Sequence, residues 1–310
     1  MQNQEAHFLG VDVGGTHLKI GLVDREGNLL DFVKEDTTSY RDNPNGFGPA
    51  FISGLEKYLD KYPTVKNVGI GLPGMISKDR TTALEIPAIP ALNGFNLKGG
   101  LEEKFPKYEF FLENDAAAAA IGEFYFGKED PAQNFLFITM GTGIGSALVL
   151  EGEVFKGSRG NAMEMGHMLS KGAARLETLI GRQGILNIMS RLIDAYPEKA
   201  GILVGAELGT HLLVDTAKAG NPVSLMVFEE VARILGEAIV SAIRILDVTD
   251  VYFGGGISAG LEFMMPTLDR TIKQYLTQYY SKDLNLKKAT LENNAGTLGA
   301  AALCFMGSGL

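Results

Sequence analysis

The chain has 310 residues, a net charge of −9, 45% hydrophobic and 21% charged residues, four histidines and one cysteine. That balance belongs to a globular protein of about two domains. The acidic surplus speaks against a nucleic-acid partner, and one cysteine excludes a disulfide framework or a multi-cysteine metal site. The polar start MQNQEAH has no apolar signal segment, and no run of about eighteen uncharged apolar residues follows, so no membrane partner and a reduced, cytoplasmic location are expected.

Residues 8–23, FLGVDVGGTHLKIGLV, predict a strand, a turn at Gly14-Gly15-Thr16 and a returning strand. Asp12 is the one charge in an otherwise apolar run, and burying a carboxylate is unfavourable unless something pairs with it. Two readings stand: a plain hairpin whose turn uses glycine, or a phosphate-binding turn whose N–H groups and Thr16 hydroxyl approach an anion. A third strand is expected at 29–33. Phe51, Ile52, Leu55, Tyr58 and Leu59 recur at helical spacing and predict a helix over 49–62, ended by Pro63. Residues 67–72 predict a buried strand closed by Pro73-Gly74. The stretch 81–100, rich in Pro, Gly and Asn, reads as a long loop, and such loops are commonly functional. A short helix at 101–105 and a strand at 108–112 lead to Glu113-Asn114-Asp115 and five alanines. Alanine is the strongest helix former, so a helix starts just after Asp115, with Asn or Asp as its N-cap.

Residues 135–150, FLFITMGTGIGSALVL, again read as strand, glycine turn and strand. Aligned on their turns, Gly14 falls on Gly141 and Thr16 on Gly143. An acidic-glycine turn follows each second strand, Glu26-Gly27-Asn28 and Glu151-Gly152-Glu153. This is the mark of an internal repeat. Helices are expected at 173–196, 222–246, 261–280 and 295–306, with a strand at 248–253 ending in a third glycine turn, Gly254-Gly255-Gly256. Cys304, in AALCFM, reads as a buried inert thiol. Hairpins mixed with crossovers give an α/β architecture. None of the glycine turns is a GxxxxGK(S/T) loop or a GxGxxG opening a helix. Turns of this type from two repeated halves could face each other across a cleft and clamp a polyphosphate.

The motifs DVGGT, ENDAAAAAIGE, TMGTGIGSALV, GNAMEMGH and FGGGIS stand in the order seen in the sugar-kinase and repressor group called the ROK family. The resemblance runs from Phe8 to about Ala302. It implies two domains of duplicated actin/hexokinase-like (ribonuclease H-like) topology around a nucleotide cleft, a small one of 1–117 plus 295–310 and a large one of 118–294. It also implies ATP-dependent phosphorylation of a hexose, foremost glucose to glucose 6-phosphate, by a homodimer. Asp115 matches the catalytic base that takes the proton from the sugar hydroxyl. On the residues alone an N-cap is the simpler role for it. Asn114, Glu164, His167 and Glu177 match sugar-contacting residues, and Gly74 is placed with them. Gly14, Gly15, Thr16, Gly141, Thr142 and Gly143 resemble the two phosphate loops, and Gly254, Gly255 and Gly256 the turn against the adenosine. Asp12 resembles the acidic residue that holds Mg²⁺ through water.

The departures from the family pattern fall around the sugar pocket. Many relatives hold a structural zinc with this histidine and a CxCGxxGC loop. Here MLSKGAARL joins His167 to Glu177 without a cysteine, so no zinc is expected and His167 must be held otherwise. The second asparagine of the family's NDAN is Ala117, and the chain has no tryptophan, Leu92 standing in its usual place. Substrate identity is therefore more open than reaction type. N-acetylhexosamine, mannose or fructose kinases remain alternatives, as does polyphosphate in place of ATP. A sugar-sensing transcriptional repressor lacking its DNA-binding domain is the alternative of a different class, with only seven residues ahead of Phe8.

Overall fold

The computed structural model describes residues 6–308. It divides into two compact units. Within the described residues, one takes the chain as far as Gln133, then Ala147–Met163 and Asn293 onward, and the other takes Asn134–Ser146 and Glu164–Glu292.

In chain order the strands and helices begin with β1 (Phe8–Val13), β2 (His17–Val23), β3 (Leu29–Asp36), α1 (Phe47–Lys61), β4 (Asn67–Leu72), β5 (Met75–Ile76) and β6 (Ala83–Glu85). They continue with α2 (Leu97–Lys104), β7 (Glu109–Asn114) and α3 (Asp115–Phe126). The first sheet is ordered β3-β2-β1-β4-β7, antiparallel through the opening hairpin and parallel from β1 to β7. Val13 pairs with Leu18 across the predicted turn. Side chains alternate across a strand, and the two faces of β1 serve different partners. Leu9, Val11 and Val13 enter an apolar core with Phe47, Phe51 and Leu55 of α1. Edge strand β3 is half-exposed, and its outer acids are tied down by α1 and its C-cap Tyr62: Asp31 by Lys61 and Tyr62, Glu35 by Lys57 and Tyr58.

Farther along lie β8 (Phe135–Met140), β9 (Ile144–Leu150), β10 (Glu153–Val154), α4 (Leu176–Ile180), α5 (Arg182–Ala195), α6 (Thr210–Lys218) and α7 (Pro222–Leu246). The chain then forms β11 (Asp250–Gly254), α8 (Leu261–Tyr275), β12 (Asn285–Lys288) and α9 (Ala295–Ser308). The second sheet is ordered β10-β9-β8-β11-β12, with β9–β10 antiparallel and β8, β11 and β12 mutually parallel. Strand for strand this repeats the order of the first sheet. The repeat seen in the glycine hairpins is thus a duplicated topology.

Several boundaries differ from those expected. Helix α2 starts at Leu97, inside the predicted loop, because the Asn96 side chain accepts the Gly99 N–H at 2.9 Å. Such a cap offsets the poor helix propensity of Gly99 and Gly100. The single helix expected at 173–196 is two, parted at Gly181, whose backbone is extended. Helix α8 ends at Tyr275 rather than at 280. Asn221 caps α7, accepting the Ser224 N–H at 3.0 Å.

Helix α9 returns to the first sheet and packs on α3, β1 and β4. Its approach is close enough to require glycine: a Cβ on Gly69 would stand 1.7 Å from the Ala300 carbonyl oxygen, and one on Gly122 2.7 Å from Gly299. Cys304 lies buried in this helix, and burial pushes its thiol pKa up. No helix among the described residues is long and apolar enough to cross a membrane.

Candidate active site

In the first unit the chain leaves β1 and turns through Gly14, Gly15 and Thr16. The Gly14 N–H donates to the His17 carbonyl at 2.9 Å. The Thr37 hydroxyl donates to the Gly14 carbonyl at 3.0 Å and its N–H to the Thr16 carbonyl at 2.9 Å. Arg41 donates to the Gly15 carbonyl and, at 3.4 Å, to that of Ala88. All three carbonyls of the turn are therefore tied inward. Among the described residues, the N–H groups of Gly15 and Thr16 and the Thr16 hydroxyl meet no acceptor. A turn with its carbonyls withdrawn and its N–H groups presented has the donor geometry that suits an anion.

The second unit repeats the arrangement with different residues. Gly141 N–H donates to the Gly143 carbonyl at 3.0 Å, while the Arg182 N–H at the start of α5 is shared between the carbonyls of Gly141 and Thr142 at 3.1 and 3.2 Å. Among the described residues, the N–H groups of Thr142 and Gly143 meet no acceptor. Gly143 lies against Glu177: a Cβ there would stand 2.6 Å from its Oε2. The third turn lies beside this loop: Gly255 has a φ of +82°, and a Cβ on it would strike the Met140 carbonyl oxygen at 2.3 Å. Gly254 and Gly256 flank it.

Asp12 follows Val11 on the opposite face of β1, the face that α9 covers. Its Oδ2 takes a 3.3 Å ion pair from Lys19 of β2, and a Cβ on Gly296, in the first turn of α9, would lie 2.5 Å from the same oxygen. A cation and a helix N-terminus both favour negative charge there, which accounts for a carboxylate in an apolar strand. Its Oδ1 has no hydrogen-bond partner among the described residues.

Strand β7 runs two residues past its expected end, through Asn114, and α3 begins at Asp115. The cap is Asn114: its Oδ1 accepts the N–H groups of Ala116 at 3.0 Å and Ala117 at 3.1 Å, while its amide donates to the Gly74 carbonyl at 3.1 Å. The N-cap role considered for Asp115 belongs to its neighbour. Asp115 stands one position inside the helix, where Oδ1 accepts the Ala116 N–H at 2.8 Å and the dipole favours negative charge.

Glu164 precedes a single 3₁₀ turn, Met165–His167, closed by the His167 N–H on the Glu164 carbonyl at 3.0 Å. Met165 N–H donates to the Ser146 hydroxyl of β9 at 3.2 Å, anchoring this turn. Nε2 of His167 lies 3.5 Å from Oε1 of Glu177. Burial pushes the Glu164 carboxyl above the usual carboxylate range, with the Glu177 charge adding to the shift and His167 opposing it. From His167 to Glu177 the chain is a tight hairpin: Leu176 N–H donates to Met168 at 2.9 Å and Ser170 N–H to Ala174 at 2.8 Å. Its tip turns at Gly172 and Ala173, both with positive φ. This segment contributes no cysteine or second histidine, so the donor set of a tetrahedral zinc is lacking.

A model of the ROK family matches residues 8–306. The chain belongs to the ROK family. Among ROK relatives, a glucokinase of Halalkalibacterium halodurans is 29% identical, the match covering 96% of this chain and 94% of that one. A protein from Cytophaga hutchinsonii proposed to be a sugar kinase superposes with a TM-score of 0.90 at 37% identity, over 96% of this chain and 99% of the other. The ROK glucokinase of Streptomyces griseus, in complex with glucose and AMPPNP, superposes with a TM-score of 0.81 at 26% identity, over 97% and 100%. The fold is the actin/hexokinase type, and the chain is a ROK family sugar kinase.

The structure brings the predicted residues together within each unit. Asp12, Gly14, Gly15, Thr16, Gly74, Asn114 and Asp115 lie in the first, and the loop of Gly141 to Gly143, Glu164, His167, Glu177 and the turn of Gly254 to Gly256 in the second. Sequence reasoning did not find Thr37, Arg41 or Arg182, which hold the ROK glycine loops in shape. Their contribution is a hydrogen bond to a distant carbonyl, and no local pattern announces one.

Proposed function

We propose that this ROK sugar kinase transfers the γ-phosphoryl group of ATP to a hexose hydroxyl, converting glucose to glucose 6-phosphate, with Asp115 as general base. The observation that carries the reading is the state of the two glycine loops, whose carbonyls are tied back and whose N–H groups are presented. Fixed donors of this kind suit the phosphates of a nucleotide, and phosphoryl transfer is catalysed mainly by positioning and charge stabilisation. Asp115 accepts the proton of the sugar hydroxyl as its oxygen attacks the γ-phosphorus, and ADP leaves. Gly74 and Asn114 in the first unit, and Glu164, His167 and Glu177 in the second, are assigned to the sugar hydroxyls. Carboxylates and an imidazole left unpaired by the wrong sugar give strong discrimination. Gly254, Gly255 and Gly256 are assigned to the adenosine.

Asp12 offers one unpartnered carboxylate oxygen. That is too little for an all-protein cage, and it suits Mg²⁺, which keeps its waters and takes phosphate oxygens. Asp12 would hold the ion, whose charge neutralises the phosphates during transfer. The glucose and AMPPNP bound by the Streptomyces griseus relative support both the sugar and the donor in this reading.

Coupled ADP-release assays with glucose, mannose, fructose and the N-acetylated hexosamines test it. Glucose should give the highest kcat/KM. Release with a different hexose would reassign the substrate, and release with none would overturn the kinase reading in favour of a protein that only binds sugar. The same proposal includes a homodimer, which light scattering checks.

A further inference from the structure

One residue before Asn114, the Glu113 carboxylate is almost fully buried, its side chain 3% exposed, and it is held by an arginine fork. Arg80 donates from Nε to Oε2 at 3.1 Å and from Nη2 to Oε1 at 3.0 Å. Lys156 adds an ion pair to Oε2 at 3.3 Å, and Oε1 also accepts the Asn114 N–H at 2.9 Å. The carboxylate thus grips the backbone at the junction of β7 and α3, where Asn114 and Asp115 leave the sheet.

Arg80 is itself fixed from three sides. It sits in the turn between β5 and β6 with a φ of +57°, a conformation unfavourable for a residue with a Cβ. The Ser77 hydroxyl stabilises that turn by accepting the N–H groups of Thr81 and Thr82 at 3.1 and 2.9 Å. Nη2 of Arg80 also donates to the Gly160 carbonyl at 2.7 Å. Next to Gly160, Asn161 exchanges two hydrogen bonds with the backbone of Ile76, at 2.9 and 2.8 Å. The segment that begins at Gly74 is therefore fastened to the start of α3 twice, by Asn114 on Gly74 and by Arg80 on Glu113. Nothing in the sugar-kinase reaction needs a buried ion pair here for its own sake. A strained arginine stands where a well-packed apolar pair would serve stability as well.

We propose that Arg80 is a positioning residue: through Glu113 it sets the angle at which Asn114 and Asp115 meet the sugar, and through Gly160 it locks the 156–161 segment to the same point. The glycine loops at Gly14–Thr16 and Gly141–Gly143 share no hydrogen bond with this network among the described residues. Its influence falls on the sugar side of the reaction. The inference rests on the proposed roles of Asn114 and Asp115.

The test is steady-state kinetics of Arg80→Lys, Glu113→Gln and Asp115→Asn against both substrates. A lysine keeps the charge and loses the fork. With Arg80→Lys, kcat should fall and the sugar KM rise by roughly tenfold or more, as small misplacements near a reacting group do. The nucleotide KM should stay within about twofold, a split that uniform loss of folded protein does not produce. Guanidinium ion added to Arg80→Ala should restore part of kcat. Arg80→Lys with kcat and sugar KM near wild type, or with both KM values raised equally, overturns the inference while an inactive Asp115→Asn leaves the reading beneath it standing. An active Asp115→Asn overturns both. If Arg80→Lys does not fold, Glu113→Gln, which removes the charge and turns one of the two acceptor oxygens into an amide donor, decides by the same criteria.

Discussion

Nε2 of His167 stands 3.5 Å from Oε1 of Glu177, and the chain between them closes into a hairpin held by its own backbone hydrogen bonds. The two side chains keep their separation because the hairpin fixes both of its ends. Ser170→Pro removes the N–H that the Ala174 carbonyl accepts and should loosen the pair. Sugar KM should rise about tenfold, the loss of one charge-assisted contact, with the nucleotide KM unchanged. Saturation curves for both substrates check this, and an unaltered sugar KM would separate the hairpin from binding.

Because Asn114 supplies the cap, Asp115 can be neutralised without unravelling α3. Asp115→Asn should lower kcat by ~10²–10⁴ while its melting temperature and circular dichroism match wild type. Asn114→Ala, by contrast, should destabilise the fold by about 1 kcal/mol through the lost cap. Thermal melts beside activity assays distinguish the two.

Glu164 carries a pH signature. Burial raises its carboxyl pKa above the ordinary value of about 4.3, so the group takes up a proton at a higher pH than a solvated glutamate. A sugar contact that needs the carboxylate is lost as pH falls through the raised value. The acid limb of kcat/KM for the sugar should lie above the ordinary carboxylate range and should disappear in Glu164→Gln. A limb identical in both proteins would clear Glu164 of the effect.

At Asp31 of the first sheet the sign is reversed. Lys61 and Tyr62 lower the Asp31 pKa to about 2. Its stabilising contribution is therefore fully present above the unfolded-state pKa of about 3.9 and is lost as pH falls toward 2. Asp31→Asn should melt below wild type at neutral pH, with the two curves converging near pH 2. Curves that stayed parallel would remove Asp31 from the account.

Thr297 is fully buried in α9, and its hydroxyl has no hydrogen-bond partner among the described residues. Replacing an unsatisfied hydroxyl by a methyl of the same shape removes a desolvation penalty. Thr297→Val should therefore raise stability by up to about 1–3 kcal/mol. Denaturant titration would show an unchanged or higher midpoint, and a marked fall would reveal a hidden partner.

The glycine hairpins were readable because burial and turn geometry act on adjacent residues, and β1, β2, β8 and β9 fall where their apolar runs predict. Strand β12 was not readable: NLKK has no apolar run, and it is a strand because β11 offers it a parallel edge. The first turn of helix α2 was hidden by Gly99 and Gly100, whose poor propensity Asn96 overrides. At the site, the residues that resemble family motifs were placed by number, yet their supports were not. Arg80 and Glu113 pair across 33 positions, and Thr37 reaches back 23 to Gly14. Such pairings are products of topology, and periodicity carries no trace of them.

The return of α9 to the first sheet has a consequence for how the protein is made. Phe8 meets Phe305 with ring centroids 4.5 Å apart, and Gly10 and Gly69 lie directly under the helix. The first strands to leave the ribosome thus wait for the last helix before one face of their sheet is covered. Residues 164–292, a nearly continuous stretch, have their partners in hand earlier. Vectorial synthesis ordinarily favours the N-terminal part; here the order of completion is inverted, and a nascent chain halted before Ala295 would present a bare, glycine-lined sheet to chaperones.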